Sequence, residues 1–243
     1  MTAATAANTI KDARSQRTRD VIIRAAEQLF AEQGVEAVSV NNITRAAGQS
    51  NRNAVQYHFG NKTGLLQAIF DKHSPQLTQR RGELIDKLVG RDLSPARLIA
   101  TALIEPLLEK LADEDGGEAY IHISAELIAS NTLGYSLHDK HPIKLPRETK
   151  LVRYAAQQLT DLPPAITRHR VLLMNVLAFH GLSDHARIRR NNAYDPLSRD
   201  TAFMASNLID SMTAIIEATP SAQSLNLLAR HELADSAIDN SGT

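Results

Sequence analysis

The sequence predicts an all-α protein with two parts, a small N-terminal unit of three helices followed by a larger helical bundle. Apolar residues recur with the 3.6-residue spacing of amphipathic helices along most of the 243 residues. Alternating β-branched runs, which mark strands, are scarce, and only 4% of the residues are aromatic. A chain of this length can bury a sizeable core without disulfides or metals.

The first three predicted helices are short and closely spaced. The first covers residues 18–33, with Thr18 as its N-cap, and ends at a glycine. The second is capped by Ser39 and stops at Gly48, and the third covers roughly residues 51–59. A tight glycine-containing turn between the second and third of three short helices is typical of a helix-turn-helix.

Longer helices are predicted after this unit. The first runs from Lys62 to about Val89, and Pro75 is expected to kink it because proline cannot donate the helical hydrogen bond. The polar segment 220–243 is expected to be disordered. Further amphipathic helices are predicted at residues 95–112, 118–131, 146–160, 164–190 and 197–218.

Charge is distributed unevenly between the two parts. Residues 1–62 contain eight Lys and Arg against five Asp and Glu, a net charge of +3, whereas residues 63–243 contain 19 against 22, a net charge of −3. A basic N-terminal part fits contact with phosphate, although an excess of this size also fits an ordinary solvated surface. The isoelectric point near 7.2 argues against a sequence-independent architectural DNA binder.

Several classes of protein are excluded by what the sequence lacks. It contains no cysteine, which excludes disulfides, cysteine-ligated metals and a cysteine nucleophile. No run approaches the roughly 20 apolar residues that span a bilayer, and residues 1–10 do not resemble a secretory signal. We therefore expect a cytoplasmic protein that has no membrane contact and no cofactor.

The competing interpretation is an all-helical metal-binding protein or enzyme. A helical bundle with two metal ions requires Glu-x-x-His motifs, which are missing, as are the Gly-x-Ser-x-Gly and phosphate-loop patterns. We therefore expect neither a metal site nor enzyme activity. The side chains that could favour this alternative are His180, Asp184 and His185 on one predicted helix, and the cluster His138, Asp139 and His141.

The most informative segment is residues 39–62, SVNNITRAAGQSNRNAVQYHFGNK. A serine cap precedes Ile43 by four residues, Ala-Gly closes the second helix, Tyr-His-Phe ends the third, and Lys62 follows that Phe by three residues. These features, together with residues 22–30, resemble the helix-turn-helix of the tetracycline-repressor (TetR) family. One additional residue between Gly48 and Ala54 departs from the family pattern and predicts a longer turn.

The polar residues of this segment are the candidates for DNA contact. Tyr57, His58 and Lys62 suit phosphate oxygens, although Tyr57 could be partly core and His58 could be a core histidine. Thr44 and Arg45, predicted to be exposed on the second helix, are further phosphate candidates. The candidates for reading base edges in the major groove are Gln49, Ser50, Asn51, Arg52, Asn53 and Gln56.

The resemblance implies a function for the whole chain. It implies a transcriptional regulator, most simply a repressor, that binds a palindromic double-stranded DNA operator as a homodimer and is released by a small-molecule effector. The implied divisions are a flexible basic arm over residues 1–15, a helix-turn-helix domain over 16–64, a ligand-binding and dimerisation domain over 65–219, and a tail over 220–243.

Two sets of residues in the larger part follow from the same resemblance. In the TetR family the last two long helices form the dimer contact, and the resemblance implies the same here. Part of their apolar stripes must also fill the core of each chain. Those stripes contain Leu172, Leu173, Val176, Leu177, Met204, Leu208, Met212 and Ile215. The effector candidates, each of which also suits a hydrogen-bonded core residue, are Tyr120, His122, Glu126, Tyr154, Asn175 and His180.

Overall fold

The computed structural model describes residues 3–130, 143–145 and 149–240, and these residues form helices and no strand. The all-α prediction is therefore confirmed, with a three-helix N-terminal unit followed by a larger bundle. No helix in the described ranges is long and apolar enough to cross a membrane. The helices are α1 (Ala3–Gln33), α2 (Val40–Ala46), α3 (Ala54–Phe59), α4 (Lys62–Leu88), α5 (Pro95–Leu111), α6 (Gly117–Ala129), α7 (Lys150–Gln158), α8 (Pro164–Ile188), α9 (Thr201–Glu217) and α10 (Ala222–Asn240).

Side-chain caps fix where several helices begin. Ser39 Oγ accepts a hydrogen bond from the backbone N–H of Asn42 at 3.2 Å, so Ser39 caps α2 as predicted. Asn61 Oδ1 accepts from the N–H of Gly64 at 2.9 Å and caps α4 only two residues after α3 ends. The connection between α3 and α4 is therefore short and hydrogen-bonded.

Both ends of the chain are more helical than the sequence predicted. Helix α1 begins at Ala3, so residues 3–15 extend the first helix where a flexible basic arm was expected, and Thr18 lies inside it. Helix α10 replaces the disordered tail. Neither helix contains Gly or Pro, and α1 starts with several alanines, the residues with the highest helix propensity.

Three helices begin later than predicted. Helix α3 starts at Ala54, and residues 47–53 form the longer turn that the additional residue predicts. Helix α7 starts at Lys150. Helix α9 starts at Thr201, because the Asp195 carboxylate accepts hydrogen bonds from the N–H groups that follow it and holds a turn there.

A continuous hydrophobic core joins the N-terminal unit to the bundle. Phe30 of α1, Ile43 of α2 and Val55 of α3 are almost completely buried. They belong to the same cluster as Leu107 of α5 and Ile121 of α6. The three-helix unit is therefore packed on the bundle and shares its interior.

Polar contacts connect α1 to the bundle as well. Both carboxylate oxygens of Glu126, on α6, accept from the backbone N–H of Val35 at 2.8 Å. Gly34 has φ +87°, and a Cβ at this position would lie 3.4 Å from Glu126 Oε1. The buried Glu27 carboxylate accepts from Lys72 Nζ at 2.9 Å and lies 2.7 Å from His73 Nε2. These contacts hold α1 against α4 and α6.

The apolar stripe of α9 points into its own chain. Leu208 and Met212 are buried, and α9 packs on α5 and α8. Within the predicted stripe, Leu208 and Met212 therefore fill the core of their own chain, whereas Met204 and Ile215 pack against that core and are half-buried.

Helix α8 divides its apolar residues between the interior and the surface. Leu177 packs against the core and Leu172 is half-buried, whereas 56% of Leu173 and 38% of Val176 are exposed. Phe203 on the neighbouring α9 is also exposed. The exposed apolar residues of these two helices therefore include Leu173, Val176 and Phe203.

Candidate DNA-binding surface

Helix α3 has one buried face and one polar face. Ala54 and Val55 are buried against the other helices, while Arg52 and Asn53 just before the helix and Gln56 within it are exposed. Because the buried face fixes the orientation of so short a helix, its polar residues are held outward. They are the hydrogen-bonding types that read base edges.

The turn before α3 is braced by its own polar side chains. Gly48 adopts φ +63°, in the left-handed region, and ends α2. Gln49 Nε2 donates to the carbonyl of Ala47 at 3.0 Å, and Asn51 Oδ1 accepts from the N–H of Asn53 at 3.0 Å. Of the predicted base-reading residues, Gln49 and Asn51 therefore have structural partners, and Ser50 is exposed.

The two phosphate candidates of α2 differ. Arg45 is exposed and donates to Asn42 Oδ1 at 3.1 Å, which leaves the other guanidinium N–H groups facing solvent. Thr44 is only 3% exposed, and its hydroxyl donates to the carbonyl of Val40 at 2.9 Å. The prediction that Thr44 is exposed is wrong, because its position on the inner face of α2 buries it.

The end of α3 is clamped by Arg19 of α1. Arg19 Nη1 donates to the carbonyl of His58 at 2.5 Å, and the guanidinium carbon lies 4.5 Å from the centroid of the Phe59 ring. Arg19 was not among the residues that the sequence singled out, so this positioning role was missed. No short-range pattern marks it, because its partners lie about 40 residues away.

Tyr57 and His58 form an edge-to-face pair with ring centroids 4.9 Å apart. Tyr57 is 74% exposed, which decides against the core alternative for that residue. His58 is half-buried, and burial together with the Arg19 charge lowers the pKa of its imidazole. At neutral pH the His58 side chain is therefore available as an uncharged hydrogen-bonding group.

Lys62 is the first residue of α4 and already has a partner. Its Nζ donates to the carbonyl of Glu36 at 3.3 Å and lies 5.9 Å from the centroid of the Phe30 ring. The side chain thus connects α4 to the segment between α1 and α2. Its remaining ammonium N–H groups lie at the same edge of the unit as α3.

The structure gives most effector candidates identifiable partners. Glu126 holds the Val35 N–H, and His122 Nδ1 lies 2.7 Å from Ser183 Oγ. Asn175 Nδ2 donates to the carbonyl of Val171 within α8, and Tyr154 packs against apolar residues of α4 and α5. The half-buried His180 lies one turn beyond the exposed Val176.

Tyr120 is the effector candidate with the most distinctive surroundings. Its ring centroid lies 5.2 Å from that of Phe70, 4.9 Å from that of His73 and 6.5 Å from that of Phe179. It is almost completely buried between α4, α6 and α8. Burial raises the pKa of Tyr120, and the neighbouring Ser74, Arg81 and Ser124 act in the opposite direction.

The metal alternative finds little support in the described part of the chain. No group of three His, Asp or Glu side chains there could hold a metal ion. His185 Nε2 lies 2.9 Å from Thr201 Oγ1, and Asp184 forms an ion pair with Arg187. The cluster His138, Asp139 and His141 lies outside the described residues.

Comparison with known proteins gives a family-model match in the N-terminal part of the chain. Residues 22–69 match the family model described as bacterial regulatory proteins, tetR family. Over 91 residues the chain is 33% identical to the HTH-type transcriptional regulator AcrR of Shigella flexneri, a match covering 37% of this chain and 42% of AcrR. Over 57 residues it is 42% identical to the HTH-type transcriptional regulator TtgR of Pseudomonas putida, covering 24% of this chain and 27% of TtgR.

Both matches span less than half the length of the relative. Among solved structures, a TetR-family regulator from Streptomyces coelicolor aligns with a TM-score of 0.44 and 18% identity. That alignment covers 84% of this chain and 96% of the other.

Proposed function

We propose that the chain is a sequence-specific DNA-binding transcriptional regulator, because residues 22–69 match the family model of the tetR family of bacterial regulatory proteins. The observation that carries the proposal is the exposed polar face of α3, held outward by the buried Ala54 and Val55. A helix-turn-helix uses this part of its second helix to contact base edges in the major groove.

The DNA-contacting residues divide by role. Arg52, Asn53 and Gln56 read base edges, with arginine suited to guanine and the amides suited to adenine. Ser50 and Asn51 lie on the approach to the groove, and Gln49 supports the turn. The residues that contact phosphate are Arg45, Tyr57, His58 and Lys62. Thr44 is not among the proposed contacts because it is buried.

The functional divisions of the chain follow from this assignment. Residues 16–64 form the DNA-binding domain, and residues 65–219 form the domain that binds an effector and a second chain. The homodimer forms through the outer faces of α8 and α9, which expose Leu173, Val176 and Phe203. A two-fold dimer reads a palindromic operator whose half-sites are separated by about 34–36 Å or a multiple of that distance.

We place the protein in the cytoplasm as a repressor that a small molecule releases from DNA. Only two residues separate α3 from α4, which continues into the bundle, so a displacement of α4 changes the position of α3. The contacts of Glu126 and Glu27 also transmit movements of α6 and α4 to α1. Coupling of this kind between two ligands amounts to about 1–3 kcal/mol.

Selection of bound fragments from the source genome by the full-length chain tests the DNA-binding proposal. We expect enrichment of a palindromic site, and loss of that enrichment in the double variant Arg52→Ala/Gln56→Ala. Arg91→Ala, an exposed change between α4 and α5, is the matched control and should retain it. Failure of the unmodified chain to enrich any site would contradict the proposal.

The inducible part of the proposal needs a second experiment. A thermal-shift screen of small molecules should give compounds that bind the chain and also weaken operator binding. By thermodynamic linkage, the operator must weaken compound binding by the same factor. Compounds that bind tightly and leave operator affinity unchanged would contradict release by an effector.

A further inference from the structure

Arg81, on the inner face of α4, is a charged side chain without a partner among the described residues. Its Nε is shielded from water and has no hydrogen-bond partner. Tyr120 is the ionisable group beside the guanidinium, and no carboxylate in the described ranges influences the pKa of Arg81. Burial of an unpaired charge is strongly unfavourable, so this arginine is a conspicuous exception in the interior.

The surroundings of Arg81 indicate an internal space. The side chain lies deep within the protein, and burial lowers the pKa of its guanidinium. Part of the residue nevertheless remains accessible to a water-sized sphere. A group that is enclosed by protein and still accessible borders an unfilled interior region.

Two further unpaired groups lie beside the same tyrosine. The hydroxyls of Ser74 and Ser124 are buried, and neither forms a hydrogen bond of good geometry. Both lower the pKa of the Tyr120 hydroxyl, as Arg81 does. Ser74 and Arg81 are two turns apart on α4, and Tyr120 and Ser124 are one turn apart on α6. Ser74, Arg81 and Ser124 all lie close enough to Tyr120 to influence the pKa of its hydroxyl.

We propose that Arg81, Tyr120, Ser74 and Ser124 form a recognition site for the carboxylate of a small organic acid with an apolar body. A guanidinium donates two parallel N–H groups to a carboxylate, and hydroxyls can donate to its remaining lone pairs. One cation balances one negative charge, which favours a monoanion over a phosphate dianion. Phe70 and Phe179 beside Tyr120 provide apolar contacts for the rest of the molecule.

The site deepens the function proposed above, and only the role of the acid as effector rests on that function. The ring of Tyr120 also contacts His73, which pairs with Glu27 of α1. An acid bound at Arg81 is therefore three contacts away from the DNA-binding domain.

Calorimetric titration of the full-length chain, without DNA, tests the site with four acids and their uncharged amides. The pairs are hexanoate and hexanamide, octanoate and octanamide, benzoate and benzamide, and phenylacetate and phenylacetamide. We expect at least one acid to bind at one site per chain, and its amide to bind about tenfold or more weakly, as expected for a lost charged hydrogen bond. Equal binding of acid and amide, or no binding by any of the four acids, would overturn the proposal.

Two variants on the same turn of α4 provide the matched comparison. Arg81→Gln should weaken acid binding by about tenfold or more. Arg80→Gln, which removes an exposed arginine paired with Glu83 and Glu109, should leave acid binding unchanged. Equal affinities in the two variants would show that Arg81 does not recognise the acid.

Thermal unfolding of the free protein separates a binding role from a structural one. Arg81→Met keeps the volume and removes the unpaired charge, so the midpoint should rise by about 2 °C or more. A lower midpoint would show that Arg81 stabilises the fold and would overturn the proposal. Because the titrations contain no DNA, failure to bind an operator would leave an acid-binding result intact. An acid that binds without releasing the operator would overturn only its role as effector.

Discussion

Arg52 and Arg45 are both exposed arginines of the helix-turn-helix, and they should affect DNA binding in different ways. If Arg52, beside the start of α3, reads a base as proposed, Arg52→Ala should cost about 1–3 kcal/mol and relax the preference at one base pair per half-site. If Arg45, on α2, contacts phosphate as proposed, Arg45→Ala should weaken operator and random DNA alike and reduce the salt slope by about 1. Fluorescence anisotropy with an operator and a scrambled duplex at several salt concentrations measures both effects.

Arg91→Ala is again the control and should bind both duplexes like the unmodified chain. An equal loss on operator and scrambled DNA in Arg52→Ala would identify Arg52 as a phosphate contact. That outcome would move base reading further along α3, toward Gln56.

Glu126 should contribute to stability through one backbone N–H. Glu126→Ala leaves the N–H of Val35 without its acceptor, and we expect a loss of about 1–3 kcal/mol in the free energy of unfolding. Urea unfolding followed by circular dichroism measures the loss. Glu32→Ala, an exposed change on α1, should stay within about 0.5 kcal/mol of the unmodified chain. A Glu126→Ala variant as stable as Glu32→Ala would show that solvent replaces the carboxylate.

At the scale of single residues, the sequence predicted side-chain chemistry better than it predicted partners. The polar run before and within α3 is recognisable because it stands between apolar helical stripes. Glu126, in contrast, was a candidate for effector contact because it is a polar residue on an apolar helix. Its partner Val35 is 91 residues away, and no local pattern reports such a contact.

At the scale of helices, the sequence predicted existence and order well but not which face meets which neighbour. The 3.6-residue pattern located α2 to α9, with boundaries displaced where Asn51 or Asp195 organises a turn. The apolar stripe of α9 was equally compatible with a core or a dimer contact. The packing of α9 on α5 buries Leu208 and Met212 in the core, and the apolar pattern of α9 alone does not reveal that neighbour.

The exposed apolar residues of α8 should hold two chains together. Leu173 and Val176, three residues apart, lie on one face of the helix, so a charge placed there would be buried against the partner. We expect the unmodified chain to be a dimer at micromolar concentration by light scattering, and the double variant Leu173→Glu/Val176→Glu to be a monomer. Leu227→Glu, an exposed apolar position on α10, should remain dimeric.

A monomeric unmodified chain would contradict the proposed assembly altogether. Dissociation by Leu227→Glu, with no effect of the α8 variant, would instead move the dimer contact to α10.

At the scale of the whole molecule, three histidines on different helices should make the fold sensitive to mild acid. Burial lowers the pKa of His58, His122 and His185 below the ordinary value of 6.5. Below pH 6.5 the unfolded chain therefore binds more protons than the folded chain, and the free energy of unfolding decreases as the pH falls toward the lowered values. Thermal midpoints between about pH 7.5 and 5.5 at constant ionic strength should show this decrease.

Two histidine variants, one on α6 and one on α8, test which group causes the pH dependence. His122→Gln removes one of the three groups and should flatten the pH dependence, whereas His169→Gln, at an exposed position of α8, should not. A midpoint that stays constant or rises on acidification would contradict the interpretation.

The contact between Glu126 and Val35 has a consequence for protein engineering. If the chain is a regulator as proposed, hybrids can be designed in which its DNA-binding segment, roughly the first 60 residues, is joined to the C-terminal domain of another protein. In this chain the N-terminal segment is held by the carboxylate of Glu126, which lies in the C-terminal part, beside Gly34, whose lack of a side chain leaves space for it. In a hybrid, the recipient protein would have to supply that carboxylate. A hybrid would therefore respond to its inducer only if the recipient helix carried a glutamate at the matching place, so compatibility depends on one residue outside the grafted segment.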